Sequence, residues 1–284
     1  MPEAGSEDLQ QRLEAHLRQV AQPRDPDWSP LGHSQVERYI QEELSRYGLV
    51  ESFFFEARGC QHRNWILKLP GSHPRRSPIL VGAHFDAAPA TPGADDNASG
   101  VAVLLELARH FSIHPALSSL WLVAFDLEER GLLGSKAYAR FLKQQRQPLR
   151  LMLSLEMLGY RDPTPGSQRY PAGLEQFYPD RGDYIGLIGN WPALGDLLRL
   201  QHSFQQAGIP CCWLPAGQRG LILPLTRLSD HSPFWDVGYP AVMVTDTAFL
   251  RNPHYHKLSD TLETLDLDFL LGVCQGLRQG LGSL

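Results

Sequence analysis

The sequence has few cysteines, no long apolar run and no excess of basic residues, and each absence argues against a class of protein. Its four cysteines, Cys60, Cys211, Cys212 and Cys274, are too few for a disulfide scaffold and lack paired CxxC metal spacing. The longest apolar candidate, Leu120–Phe125, is far shorter than the ~20 residues of a membrane helix. A total of 26 Lys+Arg against 31 Asp+Glu gives a net charge of −5. This balance predicts no nucleic-acid partner and no anionic membrane partner.

The beginning of the chain is polar and charged, with no apolar signal core, and we therefore expect a cytoplasmic protein. Hydrophobic residues make up 43% of the 284 residues and charged residues 20%, which is typical of a globular chain. No linker or internal repeat divides the sequence. We therefore predict a single catalytic domain over 1–284, with a helical part, 1–48, packed on it. The sequence makes no prediction of oligomeric state.

Apolar patterns along the chain predict strands that alternate with helices. Residues 7–21 and 34–47 are predicted amphipathic helices, and 50–57 and 64–69 are predicted strands. Further helices are expected around 101–108, 134–146 and 191–206, and from about 264. Short apolar runs predict strands at Ile79–Ala83, Leu120–Phe125, Leu151–Leu155, Tyr184–Ile188 and Ala241–Thr245. Because these runs read as strands covered on both faces, we predict a three-layer α/β/α fold around a mostly parallel, mixed sheet.

Acidic and histidine residues follow the predicted strands at the point where each strand ends. The residues are His84 and Asp86 after the first run, Glu128 and Glu129 after the second, and Glu156 after the third. Asp95 and Asp96 lie in the segment GADDNASG, directly before a predicted helix. Open α/β sheets bind ligands outside the carboxyl ends of their strands. We therefore expect these side chains to meet in one cleft.

So many carboxylates in one cleft would raise each other's pKa unless a cation neutralised them. Mixed histidine and carboxylate ligands suit zinc, and a position left open to water is typical of a catalytic zinc site. A pair of metal ions ~3.5–4 Å apart recurs in aminopeptidases and other hydrolases. The sequence therefore predicts a two-zinc centre, in which other divalent transition metals could also bind.

Five ordered segments resemble the di-zinc exopeptidases of the aminopeptidase Y and aminopeptidase S type, metallopeptidase family 28. They span about residues 79–267 and read GAHFDAAPATPGADDNASG, FDLEERGLLGS, LEMLGY, SDHSPFWDVGYP and NPHYHKLSDT. The resemblance implies a zinc-exopeptidase-like fold and hydrolysis of peptides at a free N-terminus. It also implies that relatives hold the peptide bond after the bridging aspartate, here Asp96–Asn97, in the cis form.

The same resemblance implies a role for each matching residue. Asp96 would bridge the two metals, and Asp86 would orient the histidine that precedes it by two residues. Glu128 would be the general base toward a water bound by both metals. The remaining implied ligands are His84 and Glu156 on the first metal, and Glu129 and His256 on the second.

Two features depart from the family pattern. Many members carry Asp where this chain has Glu156, so the carboxylate arm is one methylene longer. This change leaves the coordination mode and the class of exopeptidase open. Some relatives offer a tyrosine to the oxyanion shortly before the Ser-Asp-His segment, where this chain has Thr226 and Arg227.

Several nearby residues have competing interpretations. Asp95 and Asp246 are interpreted as structural, and the pattern N-P-x-x-His favours His256 over His254. Asp230 and His231 either line the pocket or support it. Arg219 or Arg227 could bind a substrate carboxylate or face water. The loop-like regions 161–183 and 214–229 are either walls of the active site or ordinary surface.

The predicted function is therefore that of a zinc-dependent aminopeptidase acting on peptides with a free N-terminus. Two alternatives use the same scaffold: glutaminyl-peptide cyclisation, with one working zinc, and carboxypeptidase or deacylase action. A non-catalytic interaction domain on this fold is a third, but such members would be expected to lose metal ligands, and this sequence has the complete set.

Overall fold

The computed structural model describes residues 4–284, and residues 1–3 lie outside it. The prediction of one domain over 1–284 therefore stays a prediction. Within 4–284 no helix combines the length and the apolar composition that crossing a bilayer requires. The helices are α1 (Ala4–Val20), α2 (Pro30–Ser45), α3 (Gly100–Ile113), α4 (Leu133–Gln144), α5 (Leu194–Gln206), α6 (His231–Asp236) and α7 (Leu267–Ser283). The strands are β1 (Val50–Ala57), β2 (Cys60–Leu69), β3 (Ile79–His84), β4 (Leu120–Phe125), β5 (Leu151–Glu156), β6 (Ile185–Gly189), β7 (Cys211–Pro215) and β8 (Ala241–Thr245).

The eight strands form one mixed sheet in the order β1-β2-β4-β3-β5-β8-β6-β7. Its centre is parallel, because β3 pairs in parallel with both β4 and β5, and β5 pairs in parallel with β8. The hairpin β1–β2 and strand β6 run antiparallel to their neighbours toward the centre. The predicted mostly parallel, mixed sheet is confirmed.

Helices cover both faces of the sheet, which gives the three predicted layers. Successive strand residues point to opposite faces, and accordingly Val81 joins a buried cluster with α1, α2, α3, α5 and α7. Its neighbour Leu80 joins a second cluster with Tyr138 of α4 and with Phe234 and Trp235 of α6. The strands are therefore apolar on both sides, as their continuous apolar runs indicate.

The N-terminal helices pack on the body of the fold. Leu9, Leu13 and Leu17 of α1 and Ile40 of α2 are buried in the cluster that also contains α3 and α7. Helix α2 begins at Pro30, four residues earlier than predicted, because proline at the first turn has a suitable φ and lacks an N–H that would stay unpaired.

Two elements were not predicted. Strand β7 is a five-residue edge strand that ends in proline and pairs only with β6 within the described chain. Helix α6 spans six residues and contains Pro233. A six-residue helix has fewer than two turns, so its periodicity is too weak to identify it, and β7 has no continuous buried apolar run of the kind that marks the central strands.

Candidate metal centre

Three neighbouring parallel strands end at one edge of the sheet and deliver the predicted polar side chains there. Strand β3 ends at His84, β5 ends at Glu156, and β4 leads into the loop that carries Glu128 and Glu129. Because β3 lies between β4 and β5, these three chain ends are adjacent. The fold therefore brings together residues that are up to 72 positions apart, as the position of the strand ends predicts.

The first group of possible metal ligands is His84, Asp96 and Glu156, all buried. Nε2 of His84 lies 3.3 Å from Oδ1 of Asp96 and 3.7 Å from Oε1 of Glu156. These donor atoms lie within 4.8 Å of one another, so a single ion could contact all three. The geometry is that of a compact site with one imidazole and two carboxylates.

The second group is Asp96, Glu129 and His256. Nε2 of His256 lies 3.1 Å from Oδ2 of Asp96 and 3.2 Å from Oε2 of Glu129. Asp96 thus turns one oxygen toward each group, which is the arrangement that a bridging carboxylate requires. The His256 side chain is 37% exposed, so the second group faces solvent while the first is enclosed.

A kinked turn, Ala94–Ser99, carries Asp96, whose backbone is not helical, and the Asp96–Asn97 peptide bond is cis, as the resemblance predicts. The Asn97 side chain donates to the Leu155 carbonyl at 2.7 Å and accepts from the Met157 amide at 3.1 Å. These bonds tie the turn to the end of β5, and so fix Asp96 relative to Glu156.

One segment, 252–260, serves both the ligand and the turn. Asp260 accepts the backbone N–H groups of Asp95 and Asp96 at 2.9 and 3.1 Å, and Asn252 donates to the Asp95 carboxylate at 2.7 Å. His256 lies between these two contacts in sequence. The sequence patterns did not indicate this function of Asp260, because its partners are more than 160 residues away.

Asp86 connects the loops after β3 and β4. Nδ1 of His84 lies 3.2 Å from the backbone carbonyl oxygen of Asp86 and 3.4 Å from its carboxylate, so Asp86 contacts this histidine as an orienting residue would. The same carboxylate accepts the N–H groups of Glu128 and Glu129 at 3.0 and 3.1 Å. Asp86 therefore positions both the implied base and an implied ligand.

The acids at this edge are buried and crowded, and their pKa values show it. Loss of hydration, with the nearby Glu156 and Asp230 carboxylates, raises the pKa of Glu128 well above its usual range. Burial and Asp96 raise the pKa of Glu129 to about 7. For His256, burial lowers the pKa but hydrogen bonds to Asp96 and Glu129 outweigh it, and the pKa rises to about 10. Carboxylates crowded in this way favour the binding of a cation.

Buried polar atoms without a hydrogen bond also lie in the two candidate ligand groups. Among the described residues, Nε2 of His84 and Oε1 of Glu129 are buried without a well-formed hydrogen bond. Buried polar atoms are almost always paired in folded proteins. A metal ion in each group would give these atoms a partner, so the side chains present fit the implied metal pair.

A chain of two serine hydroxyls fixes the carboxylate of Glu156, whose side chain is one methylene longer than the aspartate common in the family. Ser229 donates to Oε2 of Glu156 at 2.6 Å, and Ser154 lies 2.8 Å from the Ser229 hydroxyl. With Oε2 engaged, Oε1 is the oxygen that faces His84. The structure thus presents Glu156 through a single oxygen, and it shows the part that Ser229 plays, which the sequence patterns did not.

Tyr255 is a further side chain of the site that sequence analysis missed. Its ring stacks on His256 with centroids 3.8 Å apart. Burial and the Asp96, Glu129 and Glu156 carboxylates raise its pKa, so the phenol keeps its proton. An aromatic residue directly before the ligand in NPHYHK was the available signal.

The competing candidates lie elsewhere or have structural partners. Nδ1 of His254 contacts Ser259, whereas His256 is at the site. Asp95 accepts the Gly159 N–H, and Asp246 accepts those of Tyr160 and Ala248, in keeping with structural roles.

The two candidate arginines and the residue at the expected oxyanion position also have partners within the protein. Arg219 and Arg227 both pair with Asp236, and the Thr226 hydroxyl donates to the Leu223 carbonyl. None of these groups replaces the missing tyrosine. His231 bonds the Thr226 carbonyl at 2.7 Å, and burial lowers its pKa to about 3, so it supports the loop as a neutral imidazole.

Asp230 lies beside the site rather than in a ligand group. It is fully buried, and neither carboxylate oxygen has a well-formed hydrogen bond within the described chain. Burial and the nearby Glu156 raise its pKa to about 7. Of the two open interpretations, its position beside Glu156 favours a residue that supports the pocket.

An apolar cavity opens beside Glu156 and Tyr255. The loop 214–229 contributes Leu225 and Leu228 to its wall, and is therefore part of the site. The loop 161–183 lines a neighbouring apolar cavity. The remaining apolar lining of the first cavity comes from Ile188, Met243, Ala248, Phe249 and Leu250.

Comparison with known proteins finds similar sequences among peptidases. Residues 64–278 match the family model described as peptidase family M28. The chain is 34% identical to the uncharacterized protein YfbL of Escherichia coli, over 97% of this chain and 88% of YfbL. It is 30% identical to a probable leucine aminopeptidase of Trichophyton verrucosum, over 84% of this chain. The match spans 60% of that fungal protein's length.

Solved structures share the fold. A zinc aminopeptidase from Bacillus subtilis aligns with a TM-score of 0.58 at 23% identity, over 78% of this chain and 50% of that one. A glutaminyl cyclase from Bacteroides thetaiotaomicron aligns with a TM-score of 0.70 at 17% identity, over 100% of this chain and 99% of that one. At these identities the two structures establish the architecture alone.

Proposed function

This chain belongs to peptidase family M28, a family of metallo-exopeptidases, and from that premise we propose that it is a two-zinc aminopeptidase. The observation that carries the proposal is the pair of three-residue ligand groups that share Asp96. A single group would suffice for one metal. Two groups joined by one carboxylate are what a metal pair needs.

The ligand assignment follows the two groups. His84, Asp96 and Glu156 would hold one ion, and Asp96, Glu129 and His256 the other. When bound, the metal pair supplies Lewis acidity for the scissile carbonyl and lowers the pKa of the attacking water. Three carboxylates among five ligands balance most of the charge of two divalent cations.

Glu128 is the proposed general base. Its backbone is fixed by Asp86, and its carboxyl pKa is raised by loss of hydration, so it is a stronger base than an ordinary carboxylate. Glu128 takes a proton from the attacking water. The same carboxyl then delivers that proton to the nitrogen of the leaving amine, which completes peptide cleavage.

Tyr255 is proposed to assist at the carbonyl oxygen. Its phenol keeps its proton, because burial and the surrounding carboxylates raise its pKa. A protonated phenol beside His256 can donate a hydrogen bond to the oxygen on which negative charge develops. It would supply the donor that neither Thr226 nor Arg227 supplies.

The proposed substrate is a peptide with a free N-terminus and an apolar first side chain. The cavity beside Glu156 and Tyr255 is lined mainly by aliphatic and aromatic residues, which suits an apolar side chain. The surplus of carboxylates favours a cationic α-amine next to it. This substrate class is in keeping with the name of the fungal relative, a probable leucine aminopeptidase.

Metal analysis combined with three peptides tests the proposal. We expect two zinc ions per chain, hydrolysis of an unblocked leucyl peptide, and no hydrolysis of its N-acetylated form. One zinc per chain with pyroglutamate formation from a peptide that begins with Gln would instead identify a cyclotransferase. Release of C-terminal residues would identify a carboxypeptidase.

A further inference from the structure

The segment between α1 and α2 contacts both loops that carry the candidate ligands. It lies outside residues 64–278, which match the family model. Two consecutive residues make the contacts: Arg24 is 0% exposed and Asp25 is 1% exposed. A buried arginine followed by a buried aspartate on a connecting segment is unusual, because such residues are rarely buried without a specific partner.

The guanidinium of Arg24 binds the loop 85–96 through its backbone. Nε donates to the Phe85 carbonyl at 2.8 Å, and Nη2 donates to the carbonyls of Gly93 at 2.9 Å and Asp96 at 3.2 Å. Nη1 donates to the Pro92 carbonyl at 2.5 Å. The fork of Arg24 therefore spans the loop from the residue after His84 to Asp96 itself.

Arg24 is charged although no carboxylate pairs with it directly. Burial lowers its pKa to about 10, and the nearby Asp96 and Asp260 limit the fall, so it remains a cation at neutral pH. Its five donated hydrogen bonds all go to main-chain carbonyls, one of them at Gln22. Burying a charge without hydrogen bonds is costly, so these carbonyls account for its position.

Asp25 forms an ion pair with the loop that carries Glu128 and Glu129. One carboxylate oxygen accepts the N–H groups of Asp27 and Trp28 at 2.9 and 2.8 Å, which fixes the turn that leads into α2. The second oxygen accepts from Nη2 of Arg130 at 2.5 Å. Arg130 directly follows Glu128 and Glu129, so the ion pair anchors the loop that carries the proposed base.

We infer that Arg24 and Asp25 are positioning residues for the metal centre, Arg24 acting through the backbone of the Asp96 loop and Asp25 acting through Arg130. The inference rests on the proposed function, since it concerns the same site. It predicts that the N-terminal segment sets metal affinity, although it contributes no ligand. Lysine cannot replace Arg24, because an ammonium lacks the planar fork that reaches several carbonyls at once.

The test is the zinc affinity of Arg24→Lys, measured in the full chain by competition with a chromophoric chelator and without substrate. Lysine keeps the positive charge, so a change in affinity reports position rather than charge. We expect affinity to fall by about tenfold or more, the effect typical of residues that orient metal ligands. With a leucyl substrate we expect kcat to fall and KM to change little, because the apolar cavity is untouched.

Arg12→Lys is the matched control. Arg12 is also in the N-terminal region but pairs with Glu106 on α3, away from the ligands. The Arg12→Lys variant should have a lower melting temperature and an unchanged zinc affinity. If Arg24→Lys behaves like this control, losing only thermal stability, the inference is wrong.

Arg130→Met provides a second route, because methionine keeps much of the apolar length of the arginine and removes the charge that pairs with Asp25. It should weaken zinc binding severalfold, and wild-type affinity in this variant would overturn the role of Asp25. If Arg24→Lys does not fold, the zinc affinity of Arg130→Met tests the inference in its place. A wild-type chain that binds zinc but cleaves no peptide would refute the proposed function alone, while a chain that binds no zinc would refute both.

Discussion

Two acidic regions of this molecule differ in what neutralises them. Glu106 on α3 is fully buried, and its carboxylate binds Arg12 at 2.9 Å, Arg278 at 2.7 Å and Arg109 at 3.2 Å. Burial opposes ionisation, but hydrogen bonds from His16 and Arg12 outweigh it and lower the pKa of Glu106 to about 2. Here the protein supplies its own permanent cations.

The acids at the strand ends form no hydrogen bond or ion pair with an arginine or lysine in the part of the chain that the structure describes. Glu128 and Glu129 have raised pKa values, and the buried Arg24 near them donates its hydrogen bonds to carbonyls rather than to carboxylates. The contrast teaches how to separate a structural carboxylate from one that awaits a ligand. At Glu106 the guanidinium groups mark a structural carboxylate, whereas the carboxylates of the two candidate ligand groups share histidines in a geometry that suits a cation from solution.

The largest expected effect is on catalysis at the strand ends. Glu128→Gln should lower kcat/KM by about 10³-fold or more, because general base catalysis typically contributes ~10²–10⁴-fold. Zinc content should stay at the wild-type level, since Glu128 belongs to neither ligand group. Steady-state kinetics with metal analysis checks this. Near-wild-type turnover would remove Glu128 from the mechanism.

Removal of the metal should lower the melting temperature, and this effect should depend on the strand-end acids and not on Glu106. Zinc at 1,000 times its dissociation constant stabilises a protein by ~4 kcal/mol, which corresponds to a melting temperature roughly 10 °C higher. Melting curves of stripped and reloaded protein measure the shift. His84→Ala should reduce it, because one of the two ligand groups loses its histidine, and Glu106→Gln should preserve it. A stripped protein that melts at the loaded temperature would contradict the comparison.

Glu106→Gln should lower the free energy of unfolding by ~3 kcal/mol at neutral pH, because it leaves three partly buried guanidinium groups without their shared carboxylate. The folded pKa of about 2 lies below the unfolded value of ~4.3. The stabilisation is therefore complete above the unfolded value and is lost as the pH falls from there toward 2. Urea unfolding of both proteins at pH 7 and at pH 3 to 4 should show the difference shrinking. A constant difference would argue against the carboxylate as its source.

The smallest effect should come from Ser229→Ala, which frees Oε2 of Glu156. We expect zinc affinity to fall by about tenfold, as is typical when a ligand loses its orienting partner. Ser203→Ala is the matched control, because Ser203 is a buried serine that donates to a helix carbonyl on α5. Chelator competition compares the two variants, and equal affinities would show that Glu156 needs no support from Ser229.

Sequence patterns predicted the central strands and the positions of the acids, because buried parallel strands appear as continuous apolar runs and ligands follow their ends. Family membership, the fold and the cis bond after Asp96 are confirmed. The ligand roles of His84, Asp96, Glu129, Glu156 and His256, and those of Glu128 and Asp86, stay predictions that the geometry supports. The cytoplasmic location and the lack of nucleic-acid and membrane partners also stay predictions.

The sequence patterns could not predict contacts between segments that are far apart in the chain. Arg24 and Asp260 act on the Asp96 turn from segments about 70 and 160 residues away, and neither lies in an apolar repeat. Local periodicity records which face of an element is buried, but not which carbonyl or amide a distant side chain will meet. Such supporting residues become visible only in three dimensions.

The segment 252–260 carries His256 and, through Asn252 and Asp260, also grips the turn of Asp96. A proteolytic nick, an insertion or a crosslink within these nine positions would therefore disturb the proposed ligand His256 and the proposed shared ligand Asp96 together. Loss of occupancy should then be concerted, so that a damaged enzyme has neither ion rather than a mixture of half-loaded forms.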